Sequence, residues 1–237
     1  MMMKIDAVLS PLEIDLLPGL DLSSTVAIVF DVLRSSSSMI TALANGATEI
    51  FPVTSIAEAI ELRKLLPDAL LAGERHGHRF DGFDLGNSPL EFRRLASQRI
   101  ISLTVNGSGA LRACAKAAQV LVGSLLNMGS LVAYIKDREP ENLLVVCAGT
   151  IREPALEDLF AAGMMASHFQ EATHSDAAKI AGSVFRKYQE DPQHCLHESR
   201  NGRSLMADGR RDDIRWCAHR SLYAVVAEMR DGVVCKV

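Results

Sequence analysis

Ionisable and hydrogen-bonding residues recur in this sequence directly after short apolar runs. "TVAIVF" is followed by Asp31-Val32-Leu33-Arg34-Ser35-Ser36, and "ALLAG" by Glu74-Arg75. "RIISLT" is followed by Val105-Asn106-Gly107-Ser108, and "NLLVVCAG" by Thr150 and then Glu157-Asp158. Between two of these runs lies "DGFDLGNSP" (81–89), whose glycines and proline mark a loop and which gathers Asp84, Asn87 and Ser88. Asp31, Glu74, Asp84, Glu157 and Asp158 are hard oxygen donors of the kind Mg²⁺ takes, with no soft ligand beside them. Arg34 and Arg75 can each grip a phosphate or sulfonate with two parallel hydrogen bonds. Helices starting near Ser35 and Gly107 would offer unpaired backbone N–H groups and a positive dipole end to an oxyanion.

Each of these has a plainer reading. Ser35 to Ser38 could simply cap a helix, and Asn106-Gly107 could be only a tight turn. Glu157-Asp158 could complement a helix dipole, and Arg34 could pair with Asp31 at the rim. His76 and His78 flank Gly77 and read as part of a solvated loop rather than a metal pair. What favours a site is the repetition after strand ends, because open α/β sheets bind ligands beyond the carboxyl ends of their strands.

Spacing narrows the mechanism. There is no G-x-x-x-x-G-K-[ST] motif, so nucleotide hydrolysis on a P-loop is out. Cys147 is separated from Arg152 by one residue too few for a cysteine phosphatase, and it ends an apolar run where a thiol is usually inert. Leu33 stands where aspartyl-phosphate enzymes carry a second aspartate. Attack by a metal-activated water is the simplest route left.

These residues need a scaffold, and the chain predicts one. Strand-length apolar runs at 25–32, 49–53, 69–73, 99–104, 119–124 and 142–149 alternate with helical segments near 35–46, 55–66, 107–118, 127–137 and 154–170. Runs such as "AIVF" and "LLVVC" have almost no polar alternation and fit burial on both faces. The expectation is an α/β fold with a mostly parallel central sheet and helices on both sides. A helical subdomain or insertion is expected at about 174–218, inside a single domain spanning 1–237. "YAVVAEMRDGVVCKV" reads as a closing hairpin.

Composition removes several function classes. With 237 residues, 48% of them hydrophobic, the chain can bury a substantial core. Net charge is −4 with both signs interleaved, and aromatics are 5%, so nucleic acid is not an expected partner. No apolar run approaches the roughly 20 residues of a membrane span, and the start lacks the pattern of a secretory signal. Five cysteines without a C-x-x-C pair fit free thiols in a reducing cytoplasm. A homodimer is left open.

"FDVLRSSSSMITALANGA", "GERHGHRFDGFDLGNSPLEF", "TVNGSGAL", "VLVGSLLN" and "VCAGTIREPALEDLFAAG" resemble, in order and spacing, the motifs of the 2-phosphosulfolactate phosphatase family. "SRNGRSLMADGRRDDIRWCA" resembles it further along the chain. The resemblance implies a three-layer α/β/α fold. It also implies Mg²⁺-dependent hydrolysis of 2-phospho-3-sulfolactate to 3-sulfolactate and phosphate, a step on the route to coenzyme M. On that reading Asp31, Arg34, Asp84 and Asn106 are catalytic candidates. Ser35, Ser36, Arg75, Asn87, Ser88, Gly107 and Ser108 are candidates for substrate binding, and Asp31, Glu74, Asp84, Glu157 and Asp158 for Mg²⁺. The chain departs from the family pattern T-T-T-N-G-T-R-A-L at Val105 and Gly109, and His76 and His78 stand where glycines are usual. A phosphatase with a shifted substrate, or a non-catalytic anion-binding protein on the same scaffold, therefore stays open.

Overall fold

The computed structural model describes residues 2–75 and 77–237. The strands are β1 (Lys4–Val8), β2 (Thr25–Phe30), β3 (Glu49–Val53), β4 (Leu70–Arg75), β5 (His78–Arg79), β6 (Arg99–Leu103), β7 (Gln119–Gly123), β8 (Asn142–Cys147), β9 (Thr173–His174), β10 (Ala227–Arg230) and β11 (Val233–Lys236). They form one sheet in the order β5-β4-β6-β3-β11-β10-β7-β2-β8-β1-β9. The helices are α1 (Pro11–Ile14), α2 (Ser35–Ala44), α3 (Ile56–Leu65), α4 (Asn106–Ala113), α5 (Met128–Arg138), α6 (Leu156–Ser167), α7 (Asp176–Tyr188), α8 (Pro192–Glu198), α9 (Arg200–Ala207) and α10 (Arg211–Cys217).

The sheet is two parallel blocks joined by an antiparallel hairpin. β4, β6 and β3 run parallel on one side, and β7, β2, β8, β1 and β9 run parallel on the other. β10 and β11 pair with each other and with β7 and β3, all antiparallel. The C-terminal hairpin thus fills the middle of the sheet instead of closing an edge.

Side chains of successive strand residues point to opposite faces, and the core divides accordingly. Ile28 and Phe30 of β2 pack with Leu143 and Val145 against Leu131, Phe160 and Ile214. Ala27 and Val29 pack with Leu144 and Val146 against Met39, Ile40 and Leu111. Helices α5 to α10 therefore cover one face of the central strands, and α1, α2 and α4 the other, giving three layers of α/β/α type. A smaller cluster places Ala59 of α3 against Val53, Ile101 and Leu103. The four helices between residues 176 and 217 bury Ala178, Tyr188, Cys195, Leu205 and Ile214 in the same core as β2 and β8. Among the described residues no helix is long and apolar enough to cross a membrane.

Candidate functional site

β2 ends at Phe30, Asp31 follows it directly, and α2 starts at Ser35 with Arg34 as its N-cap. Ser35 to Ser38 are all buried in the first turn and do not cap the helix with their side chains. Their hydroxyls tie the helix to its surroundings instead. Ser36 Oγ donates to the Asp31 carbonyl at 2.8 Å and Ser37 Oγ to the Val32 carbonyl at 2.8 Å. Ser38 Oγ donates to the Asn87 carbonyl at 2.7 Å. The Ser35 backbone N–H donates to Asp31 Oδ1 at 3.2 Å.

α4 brings a second helix start to the same carboxylate. Asp31 also accepts the Gly107 N–H. The approach is so close that a Cβ at position 107 would lie 2.6 Å from Ser35 Oγ and 2.7 Å from Asp31 Oδ2. Only glycine fits there, because those distances are below van der Waals contact. Ser35 Oγ, Thr104 Oγ1 and Ser108 Oγ form a buried hydroxyl chain with spacings of 3.2 and 2.8 Å. Asn106 Nδ2 donates to the Gly149 carbonyl at 2.9 Å, linking α4 to the end of β8.

The start of α6 supplies two more acids. Asp158 is 2% exposed and accepts the backbone N–H groups of Val32 (2.8 Å) and Gly149 (3.0 Å). Glu157 is 1% exposed; its Oε1 accepts from Asn201 Nδ2 at 2.6 Å, and its Oε2 is buried with no hydrogen-bond partner among the described residues. Burial pushes Asp31 up to about 7, against the pull of the Ser35 N–H, and the negative charges of Glu157 and Glu74 add to the rise. Burial likewise raises Glu157. It raises Asp158 well above the usual carboxylate range, helped by Glu157 and Asp31.

Arg34 is the buried cation of the region, and it is already engaged. Its Nη2 pairs with Glu74 and its Nη1 with Asp213 of α10. Asn87 Nδ2 leans on Glu74 Oε1 at 3.4 Å, and Ser88 Oγ donates to Asp213 Oδ1 at 2.5 Å. The carboxylates of Asp31, Glu74, Glu157, Asp158 and Asp213 outnumber the charge of Arg34. Acids crowded in low dielectric call for protons or for a further cation.

Of the residues singled out by sequence, the structure brings together Asp31, Arg34, Ser35, Ser36, Glu74, Asn87, Ser88, Asn106, Gly107, Ser108, Glu157 and Asp158. Two do not join them. Asp84 accepts the Leu71 N–H at 2.8 Å and faces Arg63 at 3.7 Å, half-exposed beside the start of β4. The loop runs beside β4 in the same direction, with Leu85 bridged to Ala72, so only its later residues reach the strand's carboxyl end. Arg75 follows Glu74 on the strand and so points to the other face. It is exposed, with its guanidinium 5.5 Å from the Phe80 ring centroid. His78 is exposed in β5, and His76 lies outside the described residues.

Sequence reasoning missed Asp213, Asn201 and Thr104. Asn201 Nδ2 also donates to Thr150 Oγ1 at 2.6 Å. The usable signal was helical phase: Asp213 sits four residues before buried Cys217, and Asn201 four before buried Leu205. A polar residue on the buried stripe of a short helix invites a search for its partner.

Among the described residues no three acid, histidine or cysteine side chains converge into a ready-made cage for a metal. Mg²⁺ needs none, since it keeps several waters and is commonly held by one or two carboxylates. The unpartnered Glu157 Oε2 beside the raised Asp31 is a donor set of the right hardness for it. A small cavity of about 10 Å³ has Asp31, Ser35, Ser36 and Gly107 on its wall together with apolar Val29, Met39, Leu111 and Val122. A cavity of about 400 Å³ lies elsewhere, between Ile56, Ile60, Leu71 and Phe80–Phe83. Its lining is apolar apart from Asp81, with none of the acids gathered around Asp31.

The sequence profile of 2-phosphosulpholactate phosphatase matches residues 13–232. A protein of Clostridium perfringens (strain SM101 / Type A) named "Probable 2-phosphosulfolactate phosphatase" is 34% identical over 241 residues, covering 98% of this chain and 96% of its own. Proteins of the same name from Thermotoga petrophila and Carboxydothermus hydrogenoformans are 34% and 35% identical. They cover 87% and 95% of this chain and 90% and 93% of their own.

Proposed function

The chain belongs to the 2-phosphosulpholactate phosphatase family and is a phosphoric monoester hydrolase, and we propose that it releases phosphate from 2-phospho-3-sulfolactate with Mg²⁺ as cofactor. The observation that carries the reading is the buried acid cluster around Asp31, set against the first turns of α2 and α4 and flanked by Arg34. Asp31 and Glu157 would hold the ion, with waters completing its shell. When bound, Mg²⁺ would neutralise phosphate charge and acidify a water.

The chain's own groups do the rest. Phosphoryl transfer spreads charge over the equatorial oxygens, so fixed donors are worth most there. The N–H groups of Arg34 outside its carboxylate pairs would supply such donors, while the Ser35 and Gly107 N–H groups at the starts of α2 and α4 hold Asp31 in place. Asp31, held at the end of β2 by the Ser35 N–H, would orient the attacking water beside the ion. Asn106 holds the α4 start against β8 so that the two helix starts stay fixed relative to each other.

The test is inorganic phosphate release from 2-phospho-3-sulfolactate with Mg²⁺, in excess chelator, and after Mg²⁺ is restored. Release, loss and recovery are expected. Undiminished turnover in chelator would remove the metal from the reading, and release from other phosphomonoesters alone would remove the substrate.

A further inference from the structure

We propose that Asp213, on α10, is a positioning residue for this reaction: it fixes the plane of the Arg34 guanidinium beside the start of α2. This rests on the phosphatase reading above. Asp213 is 3% exposed and receives Arg34 Nη1 on Oδ2 and Ser88 Oγ, at 2.5 Å, on Oδ1. Glu74, at the end of β4, takes the other terminal nitrogen. The guanidinium is therefore held from two sides by groups that lie far apart in the chain. Nε–H and the second hydrogen of each terminal nitrogen lie outside these pairs.

The placement of Asp213 is itself determined by packing. Ile214 and Cys217 of α10 are fully buried in the core. Trp216 Nε1 donates to Thr41 Oγ1 of α2 at 3.3 Å, and the Arg93 guanidinium lies 4.6 Å from its ring centroid. α10 is thus locked onto α2 with or without an ion pair. A buried pair that only joined two helices would be replaceable by apolar groups at little cost or with a gain. Here two carboxylates meet one guanidinium, leaving a surplus negative charge out of water. That arrangement costs stability, and it is understandable where the arginine must be aimed at something else. Bidentate recognition of a phosphoryl group requires a fixed fork, and Arg34 immediately precedes Ser35, whose N–H already bonds to Asp31.

The experiment is a double-mutant cycle of Asp213→Asn with Arg34→Gln, measured with 2-phospho-3-sulfolactate and with p-nitrophenyl phosphate. Asp213→Asn keeps the shape and the hydroxyl contact but removes the charge that holds the fork. It should lower kcat by about ten- to a hundredfold, the range for losing a group that orients a ligand, while KM and inhibition by inorganic phosphate stay within about threefold. In the Arg34→Gln background it should cost nothing further. Separate, slowly exchanging NMR signals of the Arg34 Nη hydrogens in the wild type should merge in Asp213→Asn. Should that variant not fold, Ser88→Ala runs through the same cycle, with a smaller loss that also vanishes without Arg34. Wild-type kcat in folded Asp213→Asn, losses that multiply in the double variant, or KM and kcat moving together would overturn the proposal. A wild-type protein that hydrolyses neither ester refutes the phosphatase reading instead, and the NMR result then reports separately whether Asp213 fixes Arg34.

Discussion

Removing the charge of Asp31 should stabilise the metal-free protein while abolishing turnover. A carboxyl held near 7 instead of 3.8 binds its proton more tightly in the folded than in the unfolded chain. Stability then falls as pH rises between those two values, because the folded state must give up a proton that the unfolded state has already lost. The full difference corresponds to about 4 kcal/mol, an upper bound, since Glu157, Asp158 and Glu74 share the same field. Between about pH 5.5 and pH 8 the part still to be lost is about 2 kcal/mol, or roughly 4–8 °C in Tm for a chain of this size. Asp31→Asn has no such proton to lose and keeps an oxygen that can accept the Ser35 N–H. The assay is urea denaturation of wild type and Asp31→Asn in excess chelator at both pH values. Wild type should lose clearly more stability than the variant on going to pH 8, and added Mg²⁺ should narrow the gap. Parallel losses in the two proteins would refute the claim that a partly buried acid with a raised proton affinity sits just after β2.

Gly107→Ala should fold and lose turnover by about a hundredfold or more, as when a fixed oxyanion donor is displaced, because its methyl would collide with Ser35 Oγ and Asp31 Oδ2; phosphate release and circular dichroism measure both. Cys147→Ser should retain turnover, since burial and the charges of Asp158, Glu13 and Glu157 hold its thiol well above the usual range; a trapped phosphocysteine would contradict this. Arg75→Ala should change kcat/KM for 2-phospho-3-sulfolactate and for p-nitrophenyl phosphate by the same factor, under about threefold, because the side chain stacks on Phe80 away from Arg34. A loss confined to the sulfonated ester would return Arg75 to the substrate site.

The parallel strands and their helices were legible because burial on both faces leaves near-continuous apolar runs, as in "TVAIVF" and "LLVVC". β1 was not read, although it lies between β8 and β9. Its "KIDAV" mixes charges with apolar residues, and nothing local says that a parallel neighbour will cover it. The hairpin of β10 and β11 was legible as a hairpin, from Asp231-Gly232 between two apolar runs. Its place in the middle of the sheet was not, because strand order is decided by long-range pairing and leaves no local mark.

The site divides along the same line. Residues directly after strand ends come together because sheet geometry puts them on one rim, whatever the loops do. Asp84 and Arg75 broke that rule for local reasons. Asp84 sits in a loop that runs beside β4, so its distance along the chain from the strand end misstates its position in space. Arg75 is one residue past the one that points inward, and a strand's period of two sends it to the opposite side. Asp213 and Asn201 lie far along the chain from the acids they serve, on helices that follow no site strand. What placed them is the docking of α9 and α10 on the core that β2 and β8 build. A site whose acids come from strand ends and whose orienting groups come from late helices cannot form before those helices dock. The side chains around Arg34 should therefore be the last part of the molecule to acquire their final arrangement.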